Sequence, residues 1–325
     1  ALVLGKLGAE VHGAALAPEG RPNLFDLLAP WDGPAGEIVD IRDRARLGAV
    51  VRRCNPDIVL HLAAQSLVRR SYAIPLETFE TNVMGSLVLL DALAGIGSRA
   101  AILVVTSDKV YRNDETGTPF REPDPLGGDD PYSASKAACE IAVHSFAGSR
   151  GLRLATARAG NVVGGGDFAE DGLLPDAFRA VRDGRALKLR RPLATRPWQH
   201  VLDVVRAYLR HAELLAGPDA TVPRALNIGP TGRSLTVREV VATFYRAMGR
   251  EAAIDAAAAD GMPEKSALEL DSTLSHTCLG RANALSQEEA IRWAADWYGR
   301  YLAGESPRAL TLGQIDAYWQ AHGRQ

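Results

Sequence analysis

The sequence predicts an α/β fold in which a doubly wound parallel sheet is joined to a smaller C-terminal lobe. Short apolar runs rich in β-branched residues alternate with longer stretches of helical periodicity, which is typical of right-handed strand–helix–strand units. Several of these runs are almost continuously apolar, as parallel strands buried on both faces require. The 325 residues also supply a large core, because 46% of them are hydrophobic and 23% are charged.

The order of the predicted elements follows from these patterns. The runs 57–64 and 100–107 are the strongest strand candidates, because they are the most continuously apolar. The predicted strands are 9–16, 37–41, 57–64, 100–107, 152–158 and 224–229. The predicted helices are 76–94, 131–148, 173–183, 201–216 and 235–248. Ligands of such sheets bind beyond the carboxyl ends of the strands, so we expect the chemistry just after residues 64, 107 and 158.

Composition excludes several functional classes. Lys and Arg number 37 against 39 Asp and Glu, and this net charge of −2 argues against a nucleic-acid-binding protein. No apolar run is long enough to cross a membrane. The cysteines Cys54, Cys139 and Cys278 have neither metal-ligand nor disulfide spacing, so we expect no bound metal and a cytoplasmic protein.

Tyr132 and Lys136 are the first chemical feature. They lie four residues apart, on one face of the predicted helix 131–148. A lysine ammonium beside a phenol lowers the pKa of the phenol, which can then accept a proton from a sugar hydroxyl. Such a pair is also common as a surface Lys beside a helical Tyr, so the spacing alone leaves that interpretation open.

A second cluster directly follows the predicted strand 100–107. Thr106, Ser107, Asp108 and Lys109 place hydroxyl, acid and amine groups at the end of a buried strand. Such groups can bind a substrate oxygen and transfer protons. The alternative is an ordinary turn or helix cap, since Ser and Asp are frequent at strand ends.

Further candidates follow the neighbouring strands. Ala63, Ala64 and Gln65 would let a flat ligand approach the backbone closely, although small residues also serve helix–sheet packing. Asn161 lies in a glycine-rich segment that is alternatively a flexible loop. Arg69 and Arg196 offer forks for a phosphate, but a surface arginine is usually just solvated.

Taken together, these segments resemble the CDP-glucose 4,6-dehydratase family of the extended short-chain dehydrogenase/reductase superfamily. The resemblance runs from residue 1 to about 320 and is densest between 57 and 210. The most specific string is ATRPWQHVLD, and Asp-Lys after Ser107 stands where many sugar-nucleotide dehydratases have Asp-Glu. The matching segments are HLAAQSLVRRSY (61–72), TNVMGS (81–86), TSDKVY (106–111), DPLGGDDPYSASK (124–136), ARAGNVVGGGDF (157–168) and ATRPWQHVLD (194–203).

The resemblance implies a lyase that uses NAD transiently while converting CDP-glucose to CDP-4-keto-6-deoxyglucose. It implies catalytic roles for Tyr132, Lys136 and Ser107 in oxidation at carbon 4, and for Asp108 and Lys109 in the elimination. The implied cofactor-binding residues are Asp40, Ile41, Ala63, Ala64, Gln65, Asn82, Thr106, Tyr132 and Lys136. The implied substrate-binding residues are Arg69, Asn161 and Arg196.

Residues 1–161 then form an NAD-binding, Rossmann-type domain, and 162–325 form mainly the substrate-binding lobe, with 196–230 expected to return to the sheet. A structural hydrogen bond is the alternative role for Asn82. Family members pair the helix that holds Tyr132 with the preceding long helix, which implies a homodimer or homotetramer. An epimerase or reductase on the same fold, or a non-catalytic sugar-nucleotide-binding protein, is the alternative function.

The amino end departs from the family pattern. A dinucleotide-binding fold normally opens with a strand and a G-x-x-G-x-x-G loop, whose backbone holds the pyrophosphate. The opening ALVLGKLGAEVHG instead matches the end of the first helix, a turn and the second strand. We interpret this as an incomplete amino end that lacks roughly 20 residues, the alternative being a family member that has lost the loop. We therefore expect the chain to bind NAD weakly unless that loop is present, and its own activity to depend on the loop.

Overall fold

The computed structural model describes residues 1–28, 35–218, 221–256, 265, 267–280 and 282–323. The strands are β1 (His12–Ala15), β2 (Ala35–Ile38), β3 (Ile58–His61), β4 (Ala101–Val105), β5 (Arg153–Ala159), β6 (Val162–Val163), β7 (Leu187–Leu189), β8 (Thr195–Arg196), β9 (Gln199–His200), β10 (Ala225–Ile228), β11 (Leu235–Thr236) and β12 (Ile254–Ala256).

Helices connect and cover these strands. They are α1 (Leu2–Lys6), α2 (Leu24–Leu27), α3 (Arg44–Cys54), α4 (Val68–Ala73), α5 (Pro75–Phe79), α6 (Ser86–Gly95), α7 (Pro131–Arg150), α8 (Leu173–Arg182), α9 (Val201–Ala216), α10 (Val237–Ala247), α11 (Thr273–Cys278), α12 (Gln287–Leu302) and α13 (Pro307–His322). A π-helical turn, Glu80–Gly85, joins α5 to α6, and a 3₁₀ turn, Asp108–Val110, follows β4.

A four-stranded parallel sheet forms the centre of the molecule, with strand order β10-β5-β4-β3. Ile102 and Leu103 of β4 are fully buried on opposite faces. Ile102 packs with α3, α6 and α7, and Leu103 packs with α9. The predicted parallel α/β sheet, flanked by helices on both faces, is therefore confirmed, and β10 lies in it beside β5.

The remaining strands of the amino-terminal half form a separate parallel pair, β1 with β2. Within the described residues, β3 pairs with β4 alone, so one of its edges has no partner strand. Ile58 at that edge is 45% exposed. The apolar run 57–64 predicts burial on both faces, and this exposure departs from it because the strand lies at the border of its sheet.

Two helices position the site. Asp130 caps the amino end of α7 by accepting a hydrogen bond from the Ser133 amide, Pro131 occupies the first turn, and Gly151 ends the helix in the left-handed conformation. The predicted helix 76–94 is present as α5, the π turn and α6 in unbroken succession. The π turn carries Asn82, which is 1% exposed.

A second hydrophobic cluster lies in the C-terminal half. Phe178, Phe244, Ile291 and Tyr298, from α8, α10 and α12, are completely buried there. The chain approaches this cluster so closely that a β-carbon on Gly165 would collide with the Trp297 ring. Trp198 is 5% exposed and belongs to the same cluster, so it anchors its loop in the core.

Candidate functional site

The turn after β4 carries three candidate catalytic residues. Ser107 Oγ accepts a hydrogen bond from the Lys109 amide at 3.2 Å and donates one to Asp108 Oδ1 at 3.0 Å. Ser107 and Asp108 are 5% and 2% exposed. The cap alternative is thus partly correct, because Ser107 does cap the 3₁₀ turn, yet the same bonds also bring a hydroxyl and a carboxylate together.

Tyr132 and Lys136 approach this turn from the first two turns of α7. The Tyr132 side chain is hydrogen-bonded to Ser107. The Lys136 ammonium donates a hydrogen bond to the Val105 carbonyl oxygen at 2.8 Å, just before the turn. Gly128 permits this arrangement, because a β-carbon there would lie 2.4 Å from the Ala134 nitrogen. The structure therefore brings Ser107, Asp108, Tyr132 and Lys136 together, as the motif spacing predicts.

The pKa of Tyr132 differs from the prediction. Burial raises this pKa to about 12, the hydrogen bond with Ser107 lowers it, and the charges of Asp108 and Asp130 raise it further. The predicted lowering by Lys136 is therefore wrong for this state of the protein. Burial also lowers the pKa of Lys136, while Cys139 and Glu140 raise it. Burial of the phenol therefore affects the pKa of Tyr132 more than the nearby Lys136 does.

Asp108 has an oxygen available for chemistry. Within the described residues, its buried Oδ2 atom has no hydrogen-bond partner. The Lys109 ammonium lies 3.8 Å from the other oxygen, Oδ1, and the Lys109 side chain is 29% exposed. An acid with one uncommitted oxygen beside a partly exposed amine is suited to proton exchange with a bound substrate.

Asn82 has a structural role rather than direct access to a ligand. Its Oδ1 atom accepts a hydrogen bond from the Gln65 amide at 2.8 Å, and its Nδ2 group donates to Gln65 O and to Ser135 Oγ. Ser135 Oγ donates in turn to Tyr132 O at 2.7 Å. Asn82 thus connects the segment after β3 to α7, which favours the alternative interpretation over a cofactor contact.

Other predicted cofactor residues are divided between the surface and the interior. Ala63 and Ala64 are partly exposed just beyond β3, and the Asp40 carboxylate is held by Arg42 at 2.7 Å. The hydrogen bonds from Arg42 lower the pKa of Asp40. The Ile41 side chain is buried against Gly85, where a β-carbon would lie 2.6 Å from it.

The predicted substrate residues are only partly available. Arg196 is 7% exposed, and its guanidinium donates to the carbonyl oxygens of Thr195 and Lys265 at 2.7 Å each. The predicted phosphate contact of Arg196 is not the arrangement found here, because backbone acceptors occupy those donors. Arg69 lies 3.7 Å from Asp171, and the buried Oδ1 atom of Asn161 has no partner within the described residues.

Sequence reasoning missed a buried network behind the site. Thr106 donates to Glu140 Oε2 at 2.7 Å, so the Thr106 hydroxyl faces the interior rather than a cofactor. Glu140 Oε1 accepts hydrogen bonds from Arg158 Nη2 at 2.8 Å and Nε at 3.0 Å. Burial raises the pKa of Glu140, but hydrogen bonds with His144 and the charge of Arg158 lower it to about 2. Two features of the sequence could have indicated this network: a Glu one turn after Lys136 and an Arg in the apolar strand LATARAG.

The described residues contain neither a candidate metal-binding cluster nor a candidate membrane-spanning helix. No group of three or more His, Cys, Asp or Glu side chains is arranged to hold a metal ion. None of the helices in that part of the chain is long and apolar enough to cross a membrane.

Comparison with known proteins places the chain in a family. Residues 3–229 match the model of the NAD dependent epimerase/dehydratase family. The chain is 35% identical to the CDP-glucose 4,6-dehydratase of Salmonella typhimurium, covering 99% of this chain and 93% of that protein. It is 32% identical to the dTDP-glucose 4,6-dehydratase of Streptomyces griseus, covering 96% and 97%.

A solved structure agrees with this assignment. The Thermus thermophilus UDP-glucose 4-epimerase in complex with NAD superimposes with a TM-score of 0.79 at 27% identity, covering 91% of this chain and 93% of the epimerase. The fold, the extent of the family match and the identity to sugar-nucleotide enzymes agree with each other. The chain is a member of the NAD dependent epimerase/dehydratase family of enzymes.

Proposed function

We propose that this chain catalyses the 4,6-dehydration of CDP-glucose to CDP-4-keto-6-deoxyglucose. The observation that carries the proposal is the buried Asp108 carboxyl: its Oδ1 atom lies beside Ser107 and Lys109, and within the described residues its Oδ2 atom has no hydrogen-bond partner. An elimination needs an acid for the departing hydroxyl in addition to the groups that oxidise carbon 4, whereas epimerisation at carbon 4 does not. The identity to the Salmonella enzyme over nearly the whole chain supports the same reaction.

Oxidation uses the groups at the start of α7. Ser107 and Tyr132 bind the carbon 4 hydroxyl, and Tyr132 takes its proton. NAD⁺, when bound, supplies the acceptor for the hydride of carbon 4 and returns that hydride at carbon 6. Because burial raises the pKa of Tyr132 to about 12, the phenolate needs nearby positive charge. In the structure, Lys136 does not lower this pKa, and NAD⁺, when bound, would add positive charge to the site.

Elimination uses the turn after β4. The ketone at carbon 4 acidifies the proton on carbon 5, which Lys109 removes. Asp108 gives a proton to the carbon 6 hydroxyl, so the carbon–oxygen bond breaks and water leaves. Lys109 then returns the proton to carbon 5, and the hydride that bound NAD would supply at carbon 6 completes the product. The short distance between Asp108 and Lys109 supports this division of roles.

The residues around the turn are consistent with NAD as a cofactor. Within the described residues, the Lys136 ammonium makes one hydrogen bond and retains donors for a ribose. Ala63 and Ala64 leave room for a flat ring beyond β3. Asp40 is partly exposed, and both of its carboxylate oxygens accept hydrogen bonds from Arg42. Asn82, Ile41 and Thr106 would support the cofactor site from behind, since their side chains are committed to the interior.

The chain also carries a surface suited to pairing with a second copy. Exposed apolar side chains lie on the adjacent segments α5, the π turn and α7: Leu76 is 79% exposed, Met84 55% and Ile141 61%. Apolar side chains clustered on one surface favour protein association. We include a homodimer or homotetramer formed through these helices in the proposal.

The experiment that tests the function is product analysis. The chain, and a version extended at its amino end by a relative's strand and glycine-rich loop, would be incubated with NAD⁺ and CDP-glucose. Formation of a 4-keto-6-deoxy sugar would be followed by its absorbance in alkali, with UDP-, dTDP- and GDP-glucose as controls. We expect product with CDP-glucose. Conversion to a 4-epimer, or no product although NAD and the sugar nucleotide bind, would contradict the proposal.

A further inference from the structure

A buried ion pair holds both ends of the turn that carries the candidate catalytic residues. Thr106, just before Ser107, donates to Glu140 Oε2 at 2.7 Å. Tyr111, just after the 3₁₀ turn, accepts a hydrogen bond at its hydroxyl from Arg158 Nη1 at 2.8 Å. Glu140 and Arg158 bind each other through two guanidinium nitrogens. The segment 107–110 therefore lies between Thr106, which is bonded to Glu140, and Tyr111, which is bonded to Arg158.

The pair is itself fixed to several elements. Glu140 lies on α7, one turn beyond Lys136, and Arg158 lies on β5. Arg158 Nη1 also donates to the Glu122 carbonyl oxygen at 2.9 Å, and its guanidinium lies 5.1 Å from the centre of the Tyr111 ring. The Tyr111 hydroxyl donates to Asn227 Oδ1 on β10 at 2.6 Å. These contacts thus fix the position of the turn relative to α7, β5 and β10 together.

We propose that Glu140 and Arg158 are positioning residues that hold Ser107, Asp108 and Lys109 in register with Tyr132. Buried ion pairs are poor devices for stability alone, since apolar side chains of the same volume usually serve as well. An apolar pair would fill the space, but it would leave the Thr106 hydroxyl and the Tyr111 hydroxyl without these partners. The directional bonds are what an arrangement accurate enough for proton transfer requires.

This inference rests on the proposed dehydration for its catalytic consequence. Tyr132 and Lys136 are fixed by α7 itself, whereas Asp108 and Lys109, which serve elimination, depend on the turn; of the groups that serve oxidation, only Ser107 lies at the turn. Loosening the turn should therefore slow elimination more than oxidation. Reduced cofactor would then accumulate on the enzyme during turnover, which a general loss of folded protein would not produce.

The test uses substitutions that each release one end of the turn. Thr106→Val and Tyr111→Phe remove one hydroxyl and keep the side-chain shape. The matched control is Tyr298→Phe, which removes a buried tyrosine hydroxyl bonded to Asp167 O at 2.5 Å in the C-terminal cluster. Hydrogen exchange of the amides of 107–110 would be measured in the full chain without ligand. We expect exchange about tenfold faster in both test variants, as loss of a hydrogen bond to a charged group implies, and no change in the control.

Two results would overturn the inference. One is unchanged protection of 107–110 in both test variants, and the other is an equal loss in Tyr298→Phe. Absorbance of reduced nicotinamide during turnover gives the second measurement: we expect it to rise in Thr106→Val and Tyr111→Phe while product formation falls. If the version extended by the glycine-rich loop forms no product although NAD and the sugar nucleotide bind, the proposed function fails, and the exchange measurement still decides the positioning role. If one of the two test variants, Thr106→Val or Tyr111→Phe, does not fold, the other variant decides the result.

Discussion

Replacing Arg158 by Met tests how the buried carboxylate of Glu140 is kept charged. The change removes the guanidinium hydrogen bonds to Oε1 but leaves the Thr106 and Thr156 hydroxyls as donors. Glu140 is 1% exposed, so its charge would remain buried without its main counterion. Breaking a buried pair in this way lowers the free energy of unfolding by about 3 to 5 kcal/mol.

The lowered pKa of Glu140 indicates a contribution of similar size to the free energy of unfolding. Its value falls from 4.5 to about 2 on folding, a stabilisation of about 3 kcal/mol at neutral pH. Because the folded pKa lies below the unfolded one, this stability is present above pH 4.5 and is lost as the pH falls toward 2. In the Arg158→Met variant, burial should instead raise the folded pKa above 4.5. The difference in free energy of unfolding between the parent and the variant should therefore shrink as the pH falls from 7 to 5.

Urea unfolding followed by tryptophan fluorescence at several pH values is the assay. The double variant Glu140→Gln with Arg158→Met should regain most of the loss, because the uncharged amide accepts one Thr hydroxyl at its oxygen and donates from its NH₂ group to the other. Arg292→Met, which removes an exposed ion pair with Glu288, should leave the urea midpoint unchanged. A difference in free energy of unfolding that grows as the pH falls, or a double variant as unstable as Arg158→Met, would refute the reasoning.

Further predictions concern the site and the surface. Tyr132→Phe should keep the fold by circular dichroism but lose about 10³-fold or more in product formation, and near-parent activity would exclude the phenol as the proton acceptor. Asp108→Asn should slow elimination by about 10²-fold or more, with reduced nicotinamide accumulating during turnover; uniform slowing without accumulation would contradict its role. Asn82→Ala should lower the free energy of unfolding by about 2 kcal/mol in urea titration, because the buried Gln65 amide loses its acceptor; an unchanged value would show that this bond contributes nothing. Ile141→Glu should reduce the mass measured by light scattering if α7 lies in the interface, and an unaltered mass would exclude that surface.

Much of the fold and the cluster of reactive groups could be predicted because they follow from local patterns. The nearly continuous apolar run 100–107 could only be a buried strand, and Ile102 and Leu103 are indeed fully buried. Parallel strands bring their carboxyl ends to one edge of a sheet, so Ser107 and Tyr132 could be expected to meet although they are distant in sequence.

Features that depend on tertiary surroundings could not be predicted in the same way. The pKa of Tyr132 depends on how deeply the phenol is buried, which spacing does not reveal. Arg196 has the sequence surroundings of a phosphate ligand, but its guanidinium donates to the backbone carbonyl groups of the adjacent Thr195 and of the distant Lys265. Glu140 was overlooked because a helical glutamate is ordinarily solvent-exposed, and only the fold places Arg158 opposite it.

Within the described residues, the edge of β3 that faces away from β4 has no partner strand, and this has a consequence for handling the protein. An open strand edge offers N–H and C=O groups to any other extended chain, and apolar side chains along it strengthen such pairing. Ile58 and Leu62, 45% and 57% exposed, lie at this end of the sheet. We therefore expect edge-to-edge aggregation in concentrated solutions, a process separate from any ordered assembly through α5 and α7. A lysine in place of Ile58 would oppose it, because a charge at a strand edge must be desolvated before a second strand can dock.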